Sequence, residues 1–166
     1  MPIYVTLAID RSAPAYAFTT GKTFFRMIEL PPNDAPYVLS VESHVSSAIG
    51  KSGQDSLFCP ALAFLDENRR LLGAKRTWVF HPLRDLKEQV IGMKASMVVD
   101  GRIKQARYIV VLTENSYLSK AFEVPTQMAI RRVFSGADTT TFPTHKGGYS
   151  IPFGVEGRIT LRSSSP

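Results

Sequence analysis

The segment Leu57 to Asp66, LFCPALAFLD, decides the fold expected for this chain. Its apolar side chains occupy both alternating sides of an extended strand, with Leu57 on one side and Phe58 on the other. A strand with one face in water would carry polar residues at every second position. Pro60 lies near the middle of the segment, which disfavours a helix. The segment is therefore predicted to be a central strand that is covered on both faces.

A second segment of this kind, Ala106 to Thr113 (ARYIVVLT), is richer in β-branched residues. We expect these two strands to form the spine of a sheet. Alternation of apolar and polar residues predicts further strands, and turn-forming residues separate them. These strands are Ile3–Ile9, Tyr16–Phe18, Lys22–Leu30, Tyr37–Val45, Leu71–Phe80, Gln89–Val99 and Val155–Arg162.

One helix is predicted, over Glu123 to Phe134. Pro125 suits its first turn, Arg131 and Arg132 lie near its C-terminus, and Gly136 follows its end. Helix signals of this kind are otherwise missing from the sequence. The chain is therefore expected to contain one short helix, in its C-terminal half.

The resulting pattern is about eight short strands with turns between them and one late helix. It favours a mostly β protein, an antiparallel β-sandwich resembling a jelly roll, over a parallel fold with helical crossovers. Residues 137–153 are rich in threonine, glycine and proline and are predicted to be irregular. With 166 residues and no repeat or linker, the chain is expected to form a single domain over residues 1–166.

The distribution of apolar and charged residues limits the compartment and the partners. No apolar run approaches the ~20 residues of a membrane helix, and the N-terminus does not read as a signal peptide. The chain is therefore expected to be cytosolic or to begin after a removed leader. The net charge of +6 comes from scattered basic residues without a nucleic-acid motif. No nucleic-acid partner is expected; anionic lipid, an acidic polysaccharide or a protein suits such charge better.

The reactive side chains form no catalytic or metal-binding pattern. The lone Cys59 excludes an internal disulfide, and His44, His81 and His145 lack metal-ligand spacing. Asp66, at the end of the opening segment, is interpreted as a turn former, with a cation ligand as the alternative. The sequence therefore predicts no catalytic residue, no metal and no cofactor. A glycosidase acid pair stays open, because two acids from distant strands leave no local signal.

One candidate binding site surrounds the single tryptophan. Trp78 lies between the basic pair Lys75-Arg76 and Phe80-His81. An aromatic ring offers apolar area to a sugar, and polar neighbours offer hydrogen bonds to its hydroxyls. The predicted ligand-binding residues are Trp78, Arg76, Lys75 and His81. The alternative is that Trp78 belongs to the core. Weaker candidates of the same kind are Tyr117 and Tyr149.

Several segments, in order along the chain, form a set that resembles one known family. They are VTLAI with DRSAP (residues 5–14), GKTFF (21–25), Leu30-Pro31, PYVL (36–39) with Ser43, FCPALAFLD (58–66), RYIVVLT (107–113), Ile151-Pro152 and GRITL (157–161). This set resembles the C-terminal domain of the bacterial maltose operon periplasmic protein family, MalM. The resemblance implies a periplasmic, non-enzymatic β-sandwich, and it carries over no catalytic residue.

Three functions follow as hypotheses. The first is a non-enzymatic periplasmic accessory protein that binds carbohydrate, with an oligosaccharide as its partner. The second is a structural or interaction subunit of a cell-envelope assembly for secretion or transport, with an envelope protein as its partner. A hydrolase is the third and has no motif in its favour.

Overall fold

The computed structural model of this chain describes residues 3–19, 21–31, 35–47, 55–124, 127–135, 138–146 and 149–166. For residues 127–135 and 138–146 it gives the backbone pairing. Two short 3-10 turns cover Ile103–Gln105 and Asn115–Tyr117. The strands are β1 (Tyr4–Ile9), β2 (Ala15–Phe18), β3 (Gly21–Glu29), β4 (Tyr37–His44), β5 (Ser46–Ser47), β6 (Asp55–Phe58), β7 (Ala61–Leu65), β8 (Leu71–Lys75), β9 (His81–Arg84), β10 (Val90–Val99), β11 (Tyr108–Leu112), β12 (Ala121–Val124), β13 (Gln127–Ser135), β14 (Asp138–Lys146), β15 (Tyr149–Gly154) and β16 (Gly157–Ser164).

Two five-stranded sheets contain most of these strands. The first sheet has the order β1-β16-β4-β10-β9, and the second sheet has the order β2-β3-β11-β7-β8. A four-stranded sheet, β12-β15-β6-β5, and the β13-β14 hairpin complete the described part. Within it every pairing is antiparallel except that of β15 with β6. The prediction of a mostly β, antiparallel protein is confirmed, whereas about eight strands was too few.

One cluster of buried side chains draws on both five-stranded sheets. Alternate residues of each strand point into it, as period-2 alternation requires. Its members include Ile9, Leu39, Val41, Val99, Ile159 and Leu161 from the first sheet and Leu62, Phe64, Ile109 and Val111 from the second. The inner faces of the two sheets therefore contribute to the same core.

The predicted spine is confirmed, because β7 and β11 pair in the middle of the second sheet. Phe64 lies opposite Ile109, and Leu62 lies opposite Val111. The LFCPALAFLD segment, however, is two strands in two different sheets, with a break at Cys59 and Pro60. Proline has no backbone N–H for a sheet ladder, which is a physical reason for the break at this position.

The prediction that this segment is covered on both faces holds for most of its length: Leu57, Cys59 and Ala61 on one side and Phe58 on the other are 3% exposed or less. Leu62 and Phe64 are fully buried on the inner side of β7. On the outer side, Ala63 and Leu65 are half-buried, and Leu71 on the neighbouring β8 is 63% exposed. Cover of the outer side therefore becomes incomplete at Ala63 and Leu65, a change that the apolar pattern of the segment did not indicate.

The predicted helix over Glu123 to Phe134 is wrong. The segment contains the end of β12 and most of β13, and the described residues contain no α-helix. β13 pairs with β14 along its whole length, from Gln127 opposite Lys146 to Ser135 opposite Asp138. The cap-like residues Pro125 and Gly136 lie outside the described residues. A strand partner further along the chain overrode the local helix signals, because pairing satisfies the backbone of both strands.

The irregular segment predicted over 137–153 is also wrong, since it provides that partner. It contains β14 and most of β15. Threonine suits strands, and proline is tolerated in a strand that has a neighbour on one side only. Pro143 lies in β14, opposite Ile130, and β14 pairs only with β13 among the described strands.

Candidate functional site

Trp78 lies in the segment between β8 and β9 and is half-buried. Its indole Nε1–H donates a hydrogen bond of 2.8 Å to the carbonyl oxygen of Pro60. The ring packs against the core cluster shared by the two sheets and also against Phe80, with ring centroids 6.1 Å apart. The two sequence interpretations of Trp78 are therefore not exclusive: the ring is anchored on the core and also lines a pocket.

The pocket beside Trp78 is lined by aromatic side chains from separate parts of the chain. We call it the aromatic pocket; its volume is about 350 Å³. Tyr117 comes from a 3-10 turn, and Phe153 comes from β15. The rings of Tyr117 and Phe153 pack edge to face, with centroids 6.4 Å apart, and the N–H of Phe153 donates to the carbonyl oxygen of Lys120, just beyond the turn, at 3.1 Å. The aromatic residues of the pocket are Trp78, Phe80, Tyr117, Phe122 and Phe153.

The aromatic pocket also has polar residues in its lining. Thr77, Lys120 and Glu123 are exposed and contribute to the lining. The Lys120 Nζ lies 5.3 Å from the centroid of the Tyr117 ring. The Tyr117 hydroxyl donates to the carbonyl oxygen of Arg76 at 2.5 Å, so this proton is engaged inside the protein. A ligand would therefore meet the Thr77 hydroxyl, the Lys120 ammonium and the Glu123 carboxylate beside the aromatic rings.

Cys59 also lines the aromatic pocket and is 2% exposed. Burial raises the pKa of its thiol to about 12, although nearby Lys120 opposes the shift. At neutral pH the group is therefore a protonated thiol, and the thiolate is the nucleophilic form of cysteine. Cys59 acts here as a small apolar side chain of the pocket lining. Burial likewise raises the pKa of Tyr117.

The structure distributes the four residues predicted to bind ligand over three places. Trp78 lines the aromatic pocket, and the Lys75 Nζ lies 5.5 Å from the centroid of its ring. Arg76 forms an ion pair with Glu114, with Nε 3.3 Å from Oε1. His81 is exposed in β9, where it pairs with Lys94 of β10.

Sequence reasoning missed most of the aromatic pocket. It took Tyr117 only as a weak candidate and did not single out Phe122, Phe153 or Lys120. Phe153 lay in a segment read as irregular, although the alternation of that segment could have indicated a strand. The contact between the Tyr117 turn and β15 joins residues far apart in the chain, and no local pattern signals it. Tyr149, the other weak candidate, is 50% exposed and does not line this pocket.

A second, polar cleft of about 570 Å³ contains two carboxylates. Asp10 accepts hydrogen bonds from the backbone N–H and the hydroxyl of Ser12. Glu156 forms an ion pair with Arg11, with Oε1 3.1 Å from Nε. The hydrogen bonds from Ser12 lower the pKa of Asp10, which opposes a role as a general acid. Both carboxylates thus have local partners.

Asp66 is a turn former, as one of its two interpretations predicted. Its Oδ1 accepts hydrogen bonds from the backbone N–H groups of Asn68 and Arg70, at 2.9 and 2.7 Å. Across the described ranges, no group of three or more histidine, cysteine, aspartate or glutamate side chains could hold a metal ion.

The fold and the site define a mostly β protein with an aromatic pocket. Within the described residues, no helix is long and apolar enough to cross a membrane. No family model, curated protein or solved structure matches the chain.

Proposed function

We propose that this protein is a non-enzymatic accessory module of the bacterial periplasm that binds a carbohydrate in the aromatic pocket. The observation that carries the proposal is the pocket itself, in which several aromatic rings stand beside a hydroxyl, an ammonium and a carboxylate. Aromatic faces contact the C–H groups of a sugar ring, while polar neighbours orient its hydroxyls. A volume of about 350 Å³ lies within the usual range of small-ligand pockets.

The architecture we infer is a single-domain, jelly-roll-like β-sandwich. It is supported by the core cluster that both five-stranded sheets share. The periplasmic location rests on the resemblance to the maltose operon periplasmic protein family, which also suggests a maltodextrin as the first ligand to test. The raised pKa of Cys59 and the local partners of Asp10 and Glu156 are consistent with binding without catalysis.

Binding of a maltodextrin or a peptidoglycan fragment is expected to change the fluorescence of Trp78, which is the single tryptophan of the chain. Trp78→Leu keeps an apolar side chain but removes the aromatic face, and it should weaken binding about tenfold, equivalent to about 1.4 kcal/mol. Titration calorimetry measures this loss without relying on fluorescence.

The matched control is Tyr149→Leu, which removes an exposed aromatic ring outside the pocket. This variant should bind as the unmodified protein does. Trp78→Leu also loses the hydrogen bond to Pro60, so the unfolding midpoint of each variant is measured before titration. Silence across both ligand sets, or equal affinities for the two variants, would refute a sugar site at this pocket.

A second candidate function, an interaction subunit of an envelope assembly, is favoured by the outer face of the second sheet. There Leu112 lies between Phe25 and Ala61, and Val110 lies between Met27 and Ala63. A pocket of about 260 Å³ lies on this face, and Met27 remains 42% exposed. The floor of this pocket is buried, with Ala61 3% and Val110 and Leu112 7% exposed, whereas Met27 and Leu71 on the same sheet are exposed apolar side chains. Exposed apolar side chains on the face that carries an apolar pocket are typical of contact sites for proteins.

For this candidate, a photo-crosslinking residue placed at Met27 or Leu71 should capture an envelope protein, identified by mass spectrometry. The control position is Val98, which is 56% exposed on the outer side of the first sheet. Recovery of monomer alone from Met27 and Leu71, or the same products from Val98, would count against an interaction surface on the second sheet.

A further inference from the structure

The outer face of the first sheet carries a concentration of positive charge that is not evident in the sequence. In β16 Ile159 and Leu161 belong to the core cluster, so Arg158, Thr160 and Arg162 lie on the outer side, where the two arginines are exposed and Thr160 is 3% exposed. The register then places further residues on the same face. They are His44, Glu42 and Ser40 of β4, Lys94 and Ser96 of β10, and His81 of β9.

The charges of this face do not cancel. Arg158, Arg162 and Lys94 are exposed cations. Among the strands described here, the carboxylate on this face is Glu42, which is 9% exposed and whose Oε2 lies 3.3 Å from Nη2 of Arg162. The pKa of His44 is lowered, mainly because the ring is partly buried and secondly because the positive charge of Arg158 is close to it. The face therefore presents net positive charge to solvent, because the Glu42 carboxylate is already paired with Arg162.

Hydroxyl groups lie between these cations. The Thr160 hydroxyl lies 3.0 Å from that of Thr6 and 2.9 Å from Nε2 of His44. The hydroxyls of Ser40 and Ser96 are 2.8 Å apart. Thr160 is 3% exposed, so its hydroxyl bonds within the protein, whereas Ser96 is exposed and its hydroxyl can donate to and accept from the hydroxyls of a sugar. At one edge, the guanidinium carbon of Arg162 lies 5.0 Å from the centroid of the Tyr4 ring.

The spacing of the cations distinguishes a polymer from a small anion. Lys94 is two strands away from Arg158 and Arg162 and is aligned with Thr160 between them. Strand spacing and rise per residue put the backbone of Lys94 about 12 Å from each arginine. The two arginines are four residues apart, or about 13 Å along β16. A single small anion reaches one of these groups, whereas an extended polyanion spans all three.

We propose that the outer face of the first sheet is a binding surface for an acidic polysaccharide. The cations attract its carboxylates, and the accessible hydroxyls of Ser40 and Ser96 contact the sugar rings between them. This surface is independent of the proposed sugar site at Trp78. A bilayer fits the face less well, because its centre carries no exposed apolar side chain among the strands described: Arg158, Arg162, Lys94 and Ser96 are exposed there, and the exposed Val98 lies off this centre.

Polygalacturonate is the probe for the test, with neutral dextran as the uncharged comparison, both by titration calorimetry at low ionic strength. The protein should bind polygalacturonate and not dextran, and added salt should weaken binding. The double variant Arg158→Gln, Lys94→Gln should bind at least tenfold more weakly. The control Arg69→Gln, Arg70→Gln removes the same charge from an exposed turn of the second sheet and should change affinity less than twofold.

Three results would overturn the proposal. Equal weakening in the two double variants would mean that only net charge matters. Binding to phosphatidylglycerol vesicles without binding to polygalacturonate would assign the face to a membrane. Loss of polygalacturonate binding in Trp78→Leu would place the polymer in the aromatic pocket. If Trp78→Leu still binds polygalacturonate, the binding surface on the first sheet is supported, whatever the outcome of the maltodextrin titration. Matching unfolding midpoints establish that the variants are folded.

Discussion

Replacement of Phe64 by alanine is expected to lower the free energy of unfolding by about 3–5 kcal/mol, the range typical of a fully buried phenylalanine. Phe64 is 0% exposed and lies in β7, between β11 and β8 of the second sheet. Its ring belongs to the core cluster to which the first sheet contributes Leu39 and Leu161. Its removal leaves a cavity with walls from both sheets, so relaxation of one sheet alone cannot fill it.

Denaturant unfolding followed by circular dichroism at neutral pH measures this loss. Leu71→Ala is the matched control, because Leu71 is an apolar residue of the neighbouring β8 but is 63% exposed. The control should lower the free energy of unfolding by less than about 1 kcal/mol, as is usual for surface substitutions. If the two variants were equally stable, Phe64 would not lie in a core common to the two sheets.

The second large effect is expected for Gly92→Ala. A Cβ at this position would lie 2.2 Å from the backbone carbonyl oxygen of Ser43. Gly92 pairs with His44 of β4 and with Leu83 of β9, at the point where the β9–β10 register shifts. Because the obstructing atom is backbone, relief of the clash requires β4 and β10 to separate. We expect a loss of about 2–3 kcal/mol, toward the upper end for overpacking.

Gly154→Ala provides the comparison for this backbone contact. Gly154 also lies in a strand, but the nearest atom to its added Cβ is the side-chain oxygen of Ser56, at 3.3 Å. That side chain can rotate away, so the expected loss is below about 1 kcal/mol. Thermal unfolding of both variants tests the difference. A midpoint for Gly92→Ala as high as that for Gly154→Ala would contradict the close approach of β4 and β10.

The parts of the fold that were predictable are those in which a local pattern has one structural solution. Alternation from Tyr37 to Val45 predicts a strand with a buried side and a more accessible side, and the structure has β4 at Tyr37–His44. The apolar segments now assigned to β7 and β11 were expected to pair, and they do. In each case the period of the side chains fixes the conformation, because adjacent side chains of a strand point to opposite faces.

The wrong predictions fall where two conformations compete and a distant partner decides between them. Residues 127–134 carry apolar and basic side chains that suit either a helix or a strand. Pairing of β13 with β14 selects the strand, and the sequence of β13 alone does not contain that information. The aromatic pocket has the same origin. Trp78 could be singled out because it is unique in the chain, whereas Phe153 became a site residue only when β15 met the Tyr117 turn.

The sequence by itself determined the class of this protein, mostly β with antiparallel pairing, and the side of each alternating strand to which a residue belongs. Only the tertiary structure decided which strands are neighbours. Scattered basic residues looked unremarkable until β16 paired with β4 and β4 with β10, which brought Arg158, Arg162 and Lys94 to one face. The physical reason is that side-chain alternation is a property of one strand, whereas a surface is made by neighbours far apart in the chain.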